Sequence, residues 1–297
     1  MSRLLRAGFH RLFKSRLYGL GLLIGMALGI FMPVLRYWDI RKNREVYEAL
    51  GNEYRSAEGF VFSLVLYMIF VLVIWLGNFV GAEYSDGTMR SKIISGHKRW
   101  EIYLSNYIVC AFAGVSMQVV SMVFLLLAGR ILLPYHALTV TGLLAGMASQ
   151  CLSLLGFTAV MLIFTMLIQS KATASVLILG LTMVMLMTAM TIFNLLDEKE
   201  YIETYDGAVT VSQETGEITG EKKLVKNPRY VEGRKRTVYE ALHTVLPVNQ
   251  FLRILNNSFE DEKAVLEMIR QMAVCSVATI ILVNGAGIWI FQKMDLK

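Results

Sequence analysis

The sequence predicts an all-α membrane protein: six transmembrane helices, an N-terminal interfacial amphipathic helix, and a mixed extracellular segment between spans five and six. Three observations lead there. Of the 297 residues, 55% are hydrophobic and only 18% charged, where soluble domains carry about 25% charged residues. The charges are also segregated. Six runs contain no Asp, Glu, Lys or Arg: Leu17–Leu35, Gly59–Ala82, Ile102–Gly129, Ile131–Ser170, Ala172–Leu196 and Gln271–Gln292. Finally, these runs are 19, 24, 28, 40, 25 and 22 residues long, and a helix needs about 20 apolar residues to cross lipid. A soluble enzyme of this size would spread its 29 basic and 23 acidic residues along amphipathic elements, so that class is excluded. Helices are required because backbone groups in lipid must find partners within their own segment.

Residues 1–16 form the first element. SRLLRAGFHRLFKSR places Arg3, Arg6, His10 and Lys14 on one helical face and Leu5, Phe9 and Leu12 on another. This is the pattern of a basic helix lying on the inner leaflet. The apolar run that follows is longer than a signal-peptide core and lacks a small-x-small cleavage site, so it reads as a retained first span. Residues 17–196 carry spans one to five. Within run four, Pro134, Tyr135 and His136 mark a boundary. The stretch Leu138–Ser170 is then too short for two spans and predicts one long helix. Gly142, Gly146 and Gly156 would let that helix kink or pack closely on a neighbour.

Residues 197–270 form the outer segment. AVTVSQETGEITGEKKLV alternates around Gly216 and Gly220 and predicts a hairpin. TVYEALHTVL, ending at Pro247, and NQFLRIL read as helices; Ser258 with Asp261 resembles a capping box, and Asn256-Asn257-Ser258 matches a glycosylation sequon. Residues 271–297 supply span six and a cytoplasmic end. Basic residues choose the orientation. Twelve lie on the short segments that face the cytoplasm when the N-terminus is inside, against six on the short outer loops. Both termini are therefore expected in the cytoplasm. The net charge of +6 belongs to these flanks and implies no nucleic-acid partner.

Several chemistries have no supporting motif. The chain contains no GxxxxGK[ST] phosphate loop, and His10, His97, His136 and His243 lie in separate segments without HExxH or CxxC companions. Cys110, Cys151 and Cys275 all fall in apolar runs and read as small core hydrophobes. No catalytic residue, metal site or cofactor is expected in this chain. Uncharged runs argue against an ion-coupled carrier, whose spans carry coupling carboxylates. Polar residues within the spans are few, among them Asn78, Asn106, Gln118, Gln150, Ser153 and Asn284, with scattered Ser and Thr. They read first as interhelical hydrogen-bond partners, with Asn78, Gln118 and Gln150 as candidates to line a path. The 17 methionines read as membrane filler or a flexible apolar lining.

The densest signal follows span two: Glu83-Tyr84-Ser85-Asp86-Gly87-Thr88-Met89-Arg90, then SKIISGHKRWEIYLSN. Gly87 permits a tight turn, Thr88 reads as the N-cap of a short helix over Met89–Ser95, and Gly96 as its C′ residue. Met89, Ile93 and Ile94 are expected on one side of it and Arg90 and Lys92 on another. Tyr103 and Tyr107 are expected at the membrane interface.

Here the sequence resembles the ABC-2 type transporter permeases. Their spans two and three are joined by a pattern like E-x-x-x-G-T-x-R, a hydrophobic pair, a glycine and an arginine. In this chain those positions are Glu83, Gly87, Thr88, Arg90, Ile93-Ile94, Gly96 and Arg99. The ending Phe291-Gln292-Lys293-Met294-Asp295-Leu296-Lys297 is also similar, while Asn106 departs where many relatives carry lysine. The resemblance implies a permease that lacks its own ATPase and pairs with a second copy or a paralogue. Two cytoplasmic ABC ATPase subunits, with their ATP and magnesium, would drive export of an amphipathic, peptide or lipid-like substrate from a bacterial cell. It further implies that the ATPases push on the segment 83–99, with Arg90 and Arg99 in charged contacts to ATPase or lipid head groups and Glu83 in a buried polar contact. The opening helix Arg3–Lys14 would help cradle the ATPase, and spans one, two and five would line the path. The alternative is a membrane sensor or peptide-resistance component whose outer segment binds a peptide.

Overall fold

The computed structural model describes residues 1–50, 58–133, 139–211, 218–255 and 262–294. Its elements in order are α1 (Ser2–Lys14), α2 (Arg16–Lys42), α3 (Arg44–Leu50), α4 (Glu58–Val61), α5 (Leu64–Ser85), α6 (Thr88–Ile94), α7 (Arg99–Leu132), α8 (Val140–Leu167) and α9 (Lys171–Asp197). Strands β1 (Tyr201–Val211) and β2 (Ile218–Lys226) follow, then α10 (Arg234–Val245), α11 (Pro247–Leu255) and α12 (Glu262–Lys293). Six helices are long and apolar enough to cross a membrane: α2, α5, α7, α8, α9 and α12. The fourth run is one helix, as its length requires. It begins where the Thr139 hydroxyl accepts the Gly142 amide at 3.1 Å, satisfying one of the helix's orphan donors. The boundary at Pro134–His136 lies outside the described residues.

Three spans form a centre and three a mantle. The apolar windows of α5, α7 and α8 are 67%, 56% and 61% buried, those of α2, α9 and α12 only 22–28%. Lipid tails are as apolar as leucine, so helices associate in a membrane through close packing and polar contacts. The packing of α2 on α7 illustrates this. Gly21, Gly25, Gly29 and Pro33 form one buried row on α2. A Cβ added at Gly29 would stand 2.5 Å from the Ser121 carbonyl oxygen, and one at Gly25 3.1 Å from that of Met117. Backbone meets backbone there, and only glycine allows it. The anticipated close packing of α8 also holds: a Cβ at Gly146 would strike the Phe62 ring, and Gly156 lies against Pro247 and Thr279.

Two tyrosines expected as interfacial aromatics turn into the bundle. Tyr103 is fully buried and faces Gly287, and the Tyr107 hydroxyl donates to the Leu155 carbonyl at 3.3 Å. The reason is that α7 runs through the centre, and the i, i+4 face holding both rings points at α8 and α12 rather than at lipid.

The segment between the fifth and sixth spans divides in two. β1 and β2 pair antiparallel from Tyr201 opposite Lys226 to Val211 opposite Ile218, with an irregularity between Asp206 and Thr210. This is the expected hairpin, begun several residues earlier than the alternation suggested; its turn around Gly216 lies outside the described residues. The helical half is not a separate outer subdomain. Almost every residue of α11 is buried, the Phe251 ring lies 6.3 Å from Phe157 of α8, and Val248, Phe251 and Leu252 join the main core. Pro247 starts α11, where its missing N–H costs nothing. Gln250 anchors the insertion. Its Oε1 accepts Ser153 at 2.6 Å and Ser276 at 2.7 Å, while its Nε2 donates to the Thr244 carbonyl at 2.6 Å. The capping box Ser258–Asp261 and the sequon Asn256-Asn257-Ser258 lie outside the described residues.

Two predictions arise from this packing. Gly29→Ala should lower the stability of the purified protein by about 1–3 kcal/mol through overpacking, whereas Gly19→Ala, with nothing within 4 Å of the added carbon, should leave the thermal midpoint in place. The second concerns His243, next to α11. Burial, and then the charge of Arg253, push its pKa down from 6.5 to about 4. The folded state therefore holds it neutral while the unfolded chain takes up a proton below pH 6.5, so its stabilising contribution is intact above 6.5 and fades as pH falls toward 4. Hydrogen exchange in α10 and α11, corrected for intrinsic rates, should accelerate over that window, and His243→Gln should flatten the dependence.

Candidate functional site

The site is α6 and what holds it. Span α5 ends at Ser85, and Gly87 turns the chain with φ of +68°, a left-handed conformation that favours glycine. Gly87, not Thr88, is the capping residue, and Thr88 is the first residue of the helix. The physical reason is that the positive φ needed for the turn falls one residue before the threonine. The other end matches expectation. Gly96 adopts φ of +83°, its amide bonds the Ile93 carbonyl at 2.9 Å, and the His97 amide bonds that of Lys92 at 3.3 Å. This pair of bonds is the Schellman stop.

Beneath α6 lies Glu83, which is 1% exposed. Its Oε1 receives Lys92 Nζ of α6 at 2.5 Å and stands 2.7 Å from Arg11 Nη2 of α1. The Arg11 contact is ionic rather than an aligned hydrogen bond, and the Arg11 guanidinium also stacks 3.9 Å from the centre of the Phe79 ring. Glu83 Oε2 accepts the Asn106 amide of α7 at 2.8 Å. One carboxylate thus joins four helices. Burying it requires pairing of this kind, since an isolated charge in a low dielectric costs several kcal/mol. The expected buried polar contact of Glu83 is present, and it is far more extensive than the sequence indicated.

The partition of α6 differs from expectation. Met89 is buried and Ile93 packs beside it, and Lys92 turns inward to Glu83. Ile94 points outward and is 85% exposed, next to exposed Arg90. Helical spacing explains the exchange: Lys92 and Ile93 lie three and four residues beyond Met89 and share its face, whereas Ile94 lies five beyond and does not. Arg99 is engaged within the chain. Its Nη1 donates to the carbonyls of Phe291 and Gln292 at 3.2 Å each, and to that of Met294, so a cation covers the orphan carbonyls that end α12. Phe291 is buried against Tyr103. The remaining Asp295–Lys297 lie outside the described residues.

Arg3, Arg6, His10 and Lys14 are all exposed on α1, while Leu4 and Leu12 are buried. Of the path candidates, Asn78 alone borders a free stripe, that of Tyr67 and Ile74 on α5, and its amide donates to the Ile74 carbonyl at 2.8 Å. Gln118 and Gln150 are sealed inside the bundle, Gln150 donating to the Phe62 carbonyl at 2.7 Å. The broad free faces belong to α2, α9 and α12, with span two contributing only its stripe. Sequence reading missed Arg11 and the inward role of Lys92. A signal existed for Arg11: it stands seven residues after Leu4 and next to Leu12, on the apolar face of α1.

Six membrane helices, with an exposed short helix braced against the end of the second, define a polytopic permease-type membrane protein. The chain matches the family described as ABC-2 family transporter protein over residues 41–209, more than half its length and all of α5 to α9. It belongs to that family. Proteins of this family are transmembrane components that generally work with separate ABC ATPases. No curated protein matches the chain.

Removing the charge of Glu83 tests the brace. Glu83→Ala should destabilise the protein by about 3–5 kcal/mol by leaving two cations unpaired, measured by denaturation in detergent. A double-mutant cycle of Glu83→Gln with Arg11→Gln should show a coupling well above experimental error; additive effects would refute the network.

Proposed function

We propose that the chain couples ATP hydrolysis by two separate cytoplasmic ATPase subunits to export of an amphipathic, peptide or lipid-like substrate, acting with a second copy or a paralogue. The observation that carries this is the outward face of α6: an 85% exposed Ile94 beside an exposed Arg90, on a helix whose other face is pinned to three further helices through Glu83. An exposed apolar knob with an adjacent cation suits a groove on a protein partner, and the brace beneath transmits force. ATP and magnesium belong to the partner in this reading. Movement of α6 would pass to α1 and α7 through Glu83 and to α12 through Arg99, so that nucleotide state biases a two-state arrangement of the spans. The substrate class is supported by the free faces of α2 and α9, where Leu23, Phe31, Met183, Met187 and Met190 are exposed and no charge interrupts the runs.

The alternative, a peptide sensor or resistance component, has one favouring observation. Tyr201, Ile202, Leu224 and Val225 leave apolar surface exposed on the hairpin. Deleting Asp206–Lys226 separates the readings, since a sensor would lose its ligand response and a transporter would keep ATPase coupling.

The direct test is co-purification with the ATPase. Ile94→Asp should weaken assembly, and Thr88→Pro with Arg90→Glu should abolish stimulated hydrolysis while the permease remains folded. If assembly and hydrolysis both survive the double change, α6 is not the coupling element.

A further inference from the structure

The outward face of α1 has no partner within the chain. Arg3, Arg6 and Lys14 are exposed, with His10 between them, and none pairs with a described residue. They form one row, because they follow at three- and four-residue steps. No acidic residue occurs before Asp39, so nothing nearby along the chain neutralises this charge. A second row runs directly alongside. Phe9 and Phe13 stack at 6.3 Å, and both meet Phe112 of α7 edge-on, at 5.2 and 6.2 Å. Phe13 is 63% and Phe112 43% exposed. Since α7 is a span, its exposed Phe112 faces acyl chains. The aromatic row is therefore at the edge of the hydrocarbon, and the cationic row one step around the helix is at head-group level.

We propose that this face of α1 binds anionic phospholipid head groups and that their occupancy sets the position of the coupling helix, a role that rests on the reading of α6 given above. Charge complementarity selects the ligand, and the aromatic row selects a membrane over an acidic protein, which would leave Phe13 in water. The route to α6 is on the opposite face of the same helix. Arg11 pairs with Glu83 at 2.7 Å, and Glu83 pairs with Lys92 of α6 at 2.5 Å. A lipid that immobilises α1 holds Arg11 in place, keeps Glu83 doubly neutralised and so holds Lys92 down. Without it, α1 is held only by its apolar face, the Arg11–Glu83 pair and the contact of the Met1 amine with Glu101, and the network loosens. Anionic lipid thus acts as a positive regulator of coupling, through a contact that replaces the cradle expected between α1 and the ATPase.

The test uses the full chain in nanodiscs of phosphatidylcholine, alone or with one third phosphatidylglycerol, and reads hydrogen exchange in 2–14 and 88–94. Phosphatidylglycerol should slow exchange in both segments, and raising the salt should reverse the effect because it is electrostatic. Arg3→Gln with Arg6→Gln and Lys14→Gln should abolish the response, while Arg3→Lys with Arg6→Lys should keep it, separating lost charge from lost folding. Arg11→Gln should leave α1 protected and release α6. Equal exchange in both lipids, or a response that survives the triple change, overturns the proposal. So does protection of 2–14 by the ATPase but not by anionic lipid, and so does protection of α1 that never reaches α6. An intact lipid response in a chain that fails to stimulate any ATPase counts against the coupling function instead and leaves the lipid site standing.

Discussion

A carboxylate buried at the end of a membrane helix has to be neutralised where it stands, and the groups that do so cannot move independently of it. Glu83 sets that condition here. It is 1% exposed and is compensated by Arg11, Lys92 and Asn106, drawn from three further helices. Replacing the set by apolar residues could match its stability, so stability alone does not account for it. What it supplies is a fixed geometry: α1, α5, α6 and α7 meet at one point, and displacement of any one alters the charge balance of the others. Arg99 extends the arrangement to α12 by covering its last carbonyls.

The same logic operates midway along α8 and α12 with neutral groups. Gln250 collects Ser153, Ser276 and the Thr244 carbonyl and fastens α11 between α8 and α12. Between these two polar clasps the spans are joined by close approach, with Gly25 and Gly29 of α2 against the backbone of α7.

Much of the fold was legible in the residues. The six spans follow from uninterrupted apolar runs, and the hairpin from alternation around Gly216 and Gly220. The limits of α6 follow from Gly87 and Gly96, whose positive φ values are needed at both turns. The site was legible as a segment and not as an arrangement. Lys92 and Ile94 exchanged sides relative to expectation because a seven-residue helix has too few turns for its apolar face to be read by pattern alone. The inward turn of Tyr103 and Tyr107 was not legible, because their burial depends on which helices surround α7. The row Gly21, Gly25, Gly29 was visible as a repeat of small residues and marks the α2–α7 contact in retrospect.

The sequence by itself determined the class of protein, the number of spans, the family and the location of the short exposed helix after span two. Each of these depends on local composition or on spacing within one segment, where hydropathy and backbone conformation act over a few residues. Only the tertiary structure decided that Arg11 answers Glu83 across 72 positions of chain, that Arg99 ends the last span rather than facing outward, and that α11 enters the bundle instead of standing outside it. Those outcomes are choices among partners. A buried charge or carbonyl requires some partner, but which residue arrives is settled by how six helices pack, and that information is not carried by any one of them.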